Sequence, residues 1–346
     1  MKRLLSSLLF LSLVFTFLFT GCKEKKTESK TNAVSEVAKP KPVTIGNETA
    51  LLLKDLKENG DYVNSKEYPS LIKASIVKES LGKNILIVDL RPQNQFAEGH
   101  IKGAVNKKFE DIPTYFETGI KPFQYDKIIM VSDDGQISAY TTCLLRLMGY
   151  GNVYSMRWGM SAWNKNFAQK SWLKGVSGKY ESNLETKVNE RPSNLALPEL
   201  KTGLSTGSEI GTARFHELFK EGADNILITA GDVFSDPQKY YIINLDRKDK
   251  YEDGHLPGAV RYKPEGTLGY PEEMGSIPAD KPVVVYCATG HNSAFATAYL
   301  RFFGYDAHTL KYGNNGFMYD KMVKQRTALS WLPFTTAEVN DFETVK

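Results

Sequence analysis

The chain reads as an α/β protein made of two similar units, each a mainly parallel sheet flanked by helices. Three observations predict this. Short apolar runs such as Ile85-Leu86-Ile87-Val88 and Val283-Val284-Val285-Tyr286 show little polar alternation, which suits strands covered on both faces. Helical patterns follow such runs, as in Ser138–Met148 and Ser293–Phe303, each stopped by a glycine, Gly149 and Gly304. Finally, Gly99-His100-Ile101-Lys102-Gly103-Ala104-Val105 returns 155 residues later as Gly254-His255-Leu256-Pro257-Gly258-Ala259-Val260. Two further matches keep the order: Leu145–Tyr150 with Leu300–Tyr305, and Met156-Arg157-Trp158-Gly159 with Leu310-Lys311-Tyr312-Gly313 after a one-residue deletion.

Taken from the start, Met1-Lys2-Arg3 precedes an apolar run, Leu4–Thr20, that ends at Gly21-Cys22. A short basic flank and an abrupt small-residue end read as an export signal. Leu18-Phe19-Thr20-Gly21-Cys22 resembles a bacterial lipoprotein signal, which implies cleavage before Cys22, its lipidation, and a body exported to the envelope, periplasmic or on the cell surface. Phe19 departs from the usual leucine, so a non-lipidated secretory signal and an uncleaved anchor stay open. Residues 22–48, rich in Lys, Glu, Ser and Thr around Lys39-Pro40-Lys41-Pro42, lack an apolar period and read as a flexible tether. The expected layout is a signal over 1–21, anchor and tether over 22–48, a first unit over 49–175, a linker over 176–204, a second unit over 205–330 and a short helical tail over 331–346.

With 346 residues and 41% apolar content the chain fills two ordinary cores. Its net charge of +4 falls to +2 without Lys2 and Arg3, too little for a nucleic-acid footprint. Three cysteines exclude a disulfide-built scaffold. Cys143, in a helical pattern and matched by Ala298, reads as a small buried side chain.

Cys287 is the chemically informative cysteine. The segment Tyr286-Cys287-Ala288-Thr289-Gly290-His291-Asn292-Ser293 joins the carboxyl end of a strand to a helix, where α/β sheets place ligands. Successive amides and the positive helix end favour an anionic sulfur there, Gly290 lets the loop curl, and Thr289 and Ser293 offer hydroxyls, Ser293 also as a helix cap. A buried apolar cysteine at a strand end is the bland alternative.

Both units resemble rhodanese domains. Val88-Asp89-Leu90-Arg91 before Gly99–Ala104 follows the family's first motif, and Arg157-Trp158-Gly159-Met160-Ser161-Ala162-Trp163 its closing segment. The resemblance covers nearly all of 50–330 and implies a sulfurtransferase that moves sulfane sulfur from a thiosulfate-like or polysulfide anion to a thiol acceptor through a persulfide on Cys287, with no cofactor and no metal. Ala288, Thr289, Gly290, His291, Asn292 and Ser293 would then line the substrate, with Lys311, and less directly His308, supplying positive charge. Ser132 stands at the cysteine position of the first unit, which therefore resembles the inactive domain of tandem rhodaneses, and Asp133-Asp134 would repel an anionic donor. Ala288 and Asn292 replace arginines carried by many active members, and Asn244 and Asp246 replace the usual Asp and Arg of the strand motif. A phosphatase is disfavoured because Ser293 stands where that chemistry needs arginine. His100 and His255, duplicated in a unit without a nucleophile, read as turn residues. The contrasting class is a non-catalytic envelope module that uses the tandem scaffold to bind a protein partner or an anion.

Overall fold

The computed structural model describes residues 43–263, 268, 273–326 and 331–346. The signal, Cys22 and the tether up to residue 42 lie outside the described residues. Two five-stranded sheets carry the fold. The first comprises β1 (Leu71–Ile72), β2 (Ile85–Asp89), β3 (Val105–Asn106), β4 (Lys127–Val131) and β5 (Val153–Met156), in the order β1-β5-β4-β2-β3. The second repeats it with β6 (Leu227–Ile228), β7 (Tyr241–Asn244), β8 (Val260–Arg261), β9 (Val283–Tyr286) and β10 (Ala307–Leu310), in the order β6-β10-β9-β7-β8. Every named pairing is parallel, with Ile87 opposite Ile129 and Ile242 opposite Val284. The two central strands explain the apolar runs. Ile128–Val131 and Val283–Tyr286 are wholly buried, because helices cover both faces of each sheet.

Four long helices matter for the site: α1 (Asn47–Asn59), α2 (Gln136–Leu147), α3 (Gly207–Lys220) and α4 (His291–Phe302). α2 follows β4, α4 follows β9, and the two pack on each other between the sheets. Cys143 on α2 and Ala298 on α4 are both fully buried, and burial pushes the Cys143 thiol well up from its usual range. Both helices begin two residues before the predicted starts. Gly135 (φ 86°) and Gly290 (φ 77°) are their N-caps in the left-handed region, so Ser293 lies within the first turn and does not cap. A side chain at either glycine would also collide with the other unit: a Cβ on Gly290 would sit 2.2 Å from Gln136 Nε2, and one on Gly135 2.6 Å from His291 Nε2.

Chain order differs from the expected layout at both ends of the body. The tether stops short of residue 48: Val43 and Ile45 pack on the core, the Leu197 amide donates to Thr44 O (3.1 Å), and α1 then packs against α3. Segment 331–346 forms one 3₁₀ turn, Thr336–Glu338, in place of the expected helix. The Phe334 amide donates to Asn315 Oδ1 (2.7 Å) in the second unit, and from residue 340 on the segment stays extended because its backbone groups bond to the first unit instead of to one another. The Phe342 amide donates to Trp163 O (2.7 Å), and Val345 bridges His100. Linker residues make the mirror contacts with the second unit, where Tyr180 N donates to Phe317 O (3.1 Å) and Glu185 bridges His255. Each unit is therefore strapped by the segment that leaves the other. Among the described residues no helix is long and apolar enough to cross a membrane.

Candidate active site

Cys287 follows β9 directly and begins the turn into α4, with 6% of its surface exposed. Its Sγ lies 3.8 Å from the buried Ser293 Oγ. Two contacts hold the turn from below: Asn314 N donates to Cys287 O (3.0 Å), and Asn315 Nδ2 donates to Ala288 O (2.8 Å) and to Leu332 O (3.0 Å). The Asn292 carbonyl accepts from the Tyr68 hydroxyl at 3.0 Å. In the first unit the same turn shows where such amides point. The Ser132 hydroxyl accepts from Gly135 N (3.1 Å) and Ser138 N (3.3 Å), so the loop converges on the side-chain atom at this position.

The structure corrects two predicted roles. His291 does not line an open substrate site: it is fully buried at the junction between the units. Its Nδ1 lies 2.9 Å from Thr289 Oγ1, while Nε2 lies 3.1 Å from both the Trp158 amide and Asp134 O. Burial, reinforced by the nearby Arg157 charge, pushes its pKa down to about 3, so the ring is neutral. Thr289 thus spends its hydroxyl on the histidine. Gln136, which follows Gly135 as His291 follows Gly290, shows the same arrangement in reverse, accepting from Tyr312 N (2.9 Å) and donating to Leu310 O (3.3 Å).

Lys311 is the second correction. It belongs to the second unit but lines a cavity of about 520 Å³ at the mouth of the Ser132 loop, with Arg91, Ser132, Asp133 and Asp134. Burial, then the Asp134 charge, raises Asp133 to about 6, and Lys311 opposes that rise. Asp134 is also shifted upward by burial. Arg157, the repeat counterpart of Lys311, adjoins Trp158, whose amide is bonded to His291. Burial lowers the Arg157 guanidinium, while Glu338 and Cys287 favour its charge. The closing segments divide their contacts: Met160 N donates to Ser132 O (2.9 Å) as Asn314 N does to Cys287 O within their own units, while Trp158 N and Tyr312 N donate across to His291 and Gln136. His308 contacts Asn225 O (2.6 Å) and Asp306 (3.1 Å).

The strand motifs also differ in charge. Asp89 and Arg91 form a buried pair at 2.6 Å in the first unit. In the second, Asp246 Oδ2 accepts from Asn244 (2.9 Å) and Asn314 (2.8 Å), and burial raises its pKa. His100 and His255 repeat one contact. Each Nδ1 meets the carbonyl four residues back, at 3.1 and 2.6 Å, and each ring stacks on the aromatic at that position. No cluster of three metal-ligating side chains occurs among the described residues.

Comparison with known proteins matches these two halves separately. The rhodanese-like domain model matches residues 73–166 and 230–320. A thiosulfate sulfurtransferase of Azotobacter vinelandii is 26% identical over 273 residues, 67% of this chain and 89% of that protein. A tRNA uridine(34) hydroxylase of Rickettsia typhi is 25% identical over 147 residues, 41% of this chain, which spans 56% of its length. The solved thiosulfate sulfurtransferase of Pseudomonas aeruginosa aligns at 15% identity over 80% of this chain and 48% of that one, with a TM-score of 0.28. With the family model covering more than half of the sequence in two ordered copies, the chain belongs to the rhodanese-like domain family, as a tandem of two α/β domains.

Proposed function

We propose that this protein is a sulfurtransferase whose single catalytic cysteine is Cys287. The Cys287 thiolate attacks the terminal sulfur of a thiosulfate-like anion, a cysteine–sulfur bond forms, and the donor's sulfur–sulfur bond breaks with its electron pair leaving on sulfite. A thiolate acceptor then attacks the outer sulfur of the persulfide and regenerates the Cys287 thiolate. The observation that supports this is the turn itself: position 287 matches the point on which the amides of the Ser132 turn converge, at the start of a twelve-residue helix. Ser132 cannot hold a persulfide, which leaves one catalytic unit. Similarity to the Azotobacter enzyme over both units supports the same reaction class.

The proposal includes export and lipid anchoring through Cys22, supported by the apolar run that ends at Gly21-Cys22. Incorporation of a clickable fatty acid into the wild type but not Cys22→Ala tests it.

The reaction is tested by intact-protein mass spectrometry and peptide mapping of the full chain after incubation with thiosulfate, then polysulfide, beside Cys287→Ser. One added sulfur, about 32 Da, on the Cys287 peptide of the wild type alone is expected. A folded wild type whose Cys287 alkylates yet gains no sulfur from either donor refutes both donor assignments, leaving the anion- or protein-binding module as the better reading.

A further inference from the structure

Cys287 and Ser132 stand at the same place in the two turns, yet the serine six residues on is wired differently in each unit. In the first unit the Ser138 hydroxyl is fully engaged. It donates to Gly135 O (3.1 Å), lies 2.8 Å from Ser155 Oγ on β5, and accepts from the Ser132 hydroxyl at 3.3 Å. In the second unit Thr309 on β10, paired with Val285 as Ser155 is with Met130, stands at the equivalent place. It turns away from Ser293 and donates to Thr297 Oγ1 on α4 at 2.7 Å.

Ser293 is left with one partner. It is fully buried on the first turn of α4, and among the described residues its hydroxyl bonds to Cys287 alone, whose Sγ donates to it across 3.8 Å. The hydroxyl therefore keeps its own proton unspent, which is costly for a buried donor. When the sulfur loses its proton it becomes the missing acceptor, and a hydroxyl rotor turns from accepting to donating without moving any other atom.

Resting on the sulfurtransferase reading, we propose that Ser293 is a second catalytic residue, whose hydroxyl donates to Cys287 Sγ whenever that atom carries charge. The thiol first passes its proton to solvent water, and the hydroxyl reverses towards the thiolate. Attack then uses the thiolate electron pair to form the bond from Sγ to the sulfane sulfur, so charge leaves Sγ. In the second half an acceptor thiolate bonds to the outer sulfur, the bond to Sγ breaks with its pair returning to Sγ, and the hydroxyl donates to the leaving thiolate. The titratable groups about the turn are Asp246, bonded to Asn314, the Tyr68 hydroxyl on Asn292 O, neutral His291, and Arg157, whose charge Cys287 favours. All four are unchanged in serine variants, so a difference between variants reports the hydroxyl.

The test is the pH profile of Cys287 alkylation by iodoacetamide in the full chain, read by peptide mapping. One charge-assisted hydrogen bond changes the thiolate population about tenfold. A less stabilised thiolate is the better nucleophile, with a Brønsted exponent of about 0.4–0.5, so Ser293→Ala is expected to react about threefold slower than wild type at pH 6 and about threefold faster at pH 10. Alanine removes one oxygen and favours the helix, so the variant keeps the fold, which circular dichroism checks. Ser293→Thr is expected to restore the wild-type profile. Thr309→Val removes a hydroxyl bonded to Thr297 and not to the sulfur, and it is expected to keep that profile. A Ser293→Ala profile that follows the wild type, or lies on one side of it at every pH, overturns the proposal, as does an equal crossing in Thr309→Val. A wild type that takes no sulfur from thiosulfate or polysulfide while the profiles still cross refutes the sulfurtransferase reading and keeps Ser293 as the donor to the Cys287 thiolate.

Discussion

Replacing His291 separates its role at the unit junction from any role in sulfur chemistry. In His291→Ala the buried Trp158 amide loses its acceptor, which costs about 1–3 kcal/mol. The fully buried ring also packs on Trp158 (5.1 Å) and Trp172 (5.9 Å), and deleting a buried ring adds a cavity whose cost brings the total to about 3–5 kcal/mol. His291→Gln should cost less than about 1.5 kcal/mol, since Gln136 already performs this task at the equivalent place with an oxygen that accepts and a nitrogen that donates. Urea unfolding at pH 7.5 measures both. The pH dependence supplies a second sign. The folded-state pKa of about 3 lies below the ordinary 6.5, so the unfolded chain binds the extra proton, and the contribution present above pH 6.5 is lost as pH falls towards 3. That slope, up to about 1.4 kcal/mol per pH unit for one proton, should vanish in His291→Gln. If the glutamine variant is as unstable as the alanine variant, or keeps the full slope, the assignment of a neutral histidine accepting across the junction is wrong.

Asp133 should show the opposite slope. Its folded pKa, about 6, exceeds the ordinary 3.8, so ionising it costs stability as pH rises between those values; Asp133→Asn should therefore raise the melting temperature at pH 7 and leave it unchanged at pH 3.5, which a thermal series reads directly. Phe334, wholly buried against Trp158 and Trp172 at 5.2 Å each, ties the segment after residue 330 to the first unit, and Phe334→Ala should cost about 3–5 kcal/mol in urea unfolding while adding early protease cleavage within 331–346.

What was legible in the sequence was local. The runs that became β4 and β9 carry their own signal, since a stretch such as Val283–Tyr286 has no polar residue to turn towards water. The same holds for the position of Cys287 between that strand and a helix. What escaped depends on which unit faces which. Lys311 was read as serving the cysteine of its own unit, but at the junction the first residues of each closing segment reach across, Tyr312 N to Gln136 and Trp158 N to His291, and Lys311 lines the cavity at the Ser132 loop. His291 looked available because its neighbours are loop residues, whereas its contacts at 3.1 Å come from residues more than 130 positions away. Segment 331–346 has too little apolar period to announce that its backbone would bond to Trp163 and His100.

The two straps have a consequence for ancestry. Trp163 and Phe317 offer equivalent carbonyls, as His100 and His255 offer equivalent bridge positions, and each is met by chain leaving the other half. A single ancestral unit whose trailing segment lay across a second copy would have formed a two-fold dimer with two identical pockets and two identical exchanged arms. Joining the copies end to end keeps every one of those contacts and removes the need for the halves to remain alike. One half can then carry Ser132 where its sister carries Cys287, since the straps hold through backbone groups that depend on neither side chain.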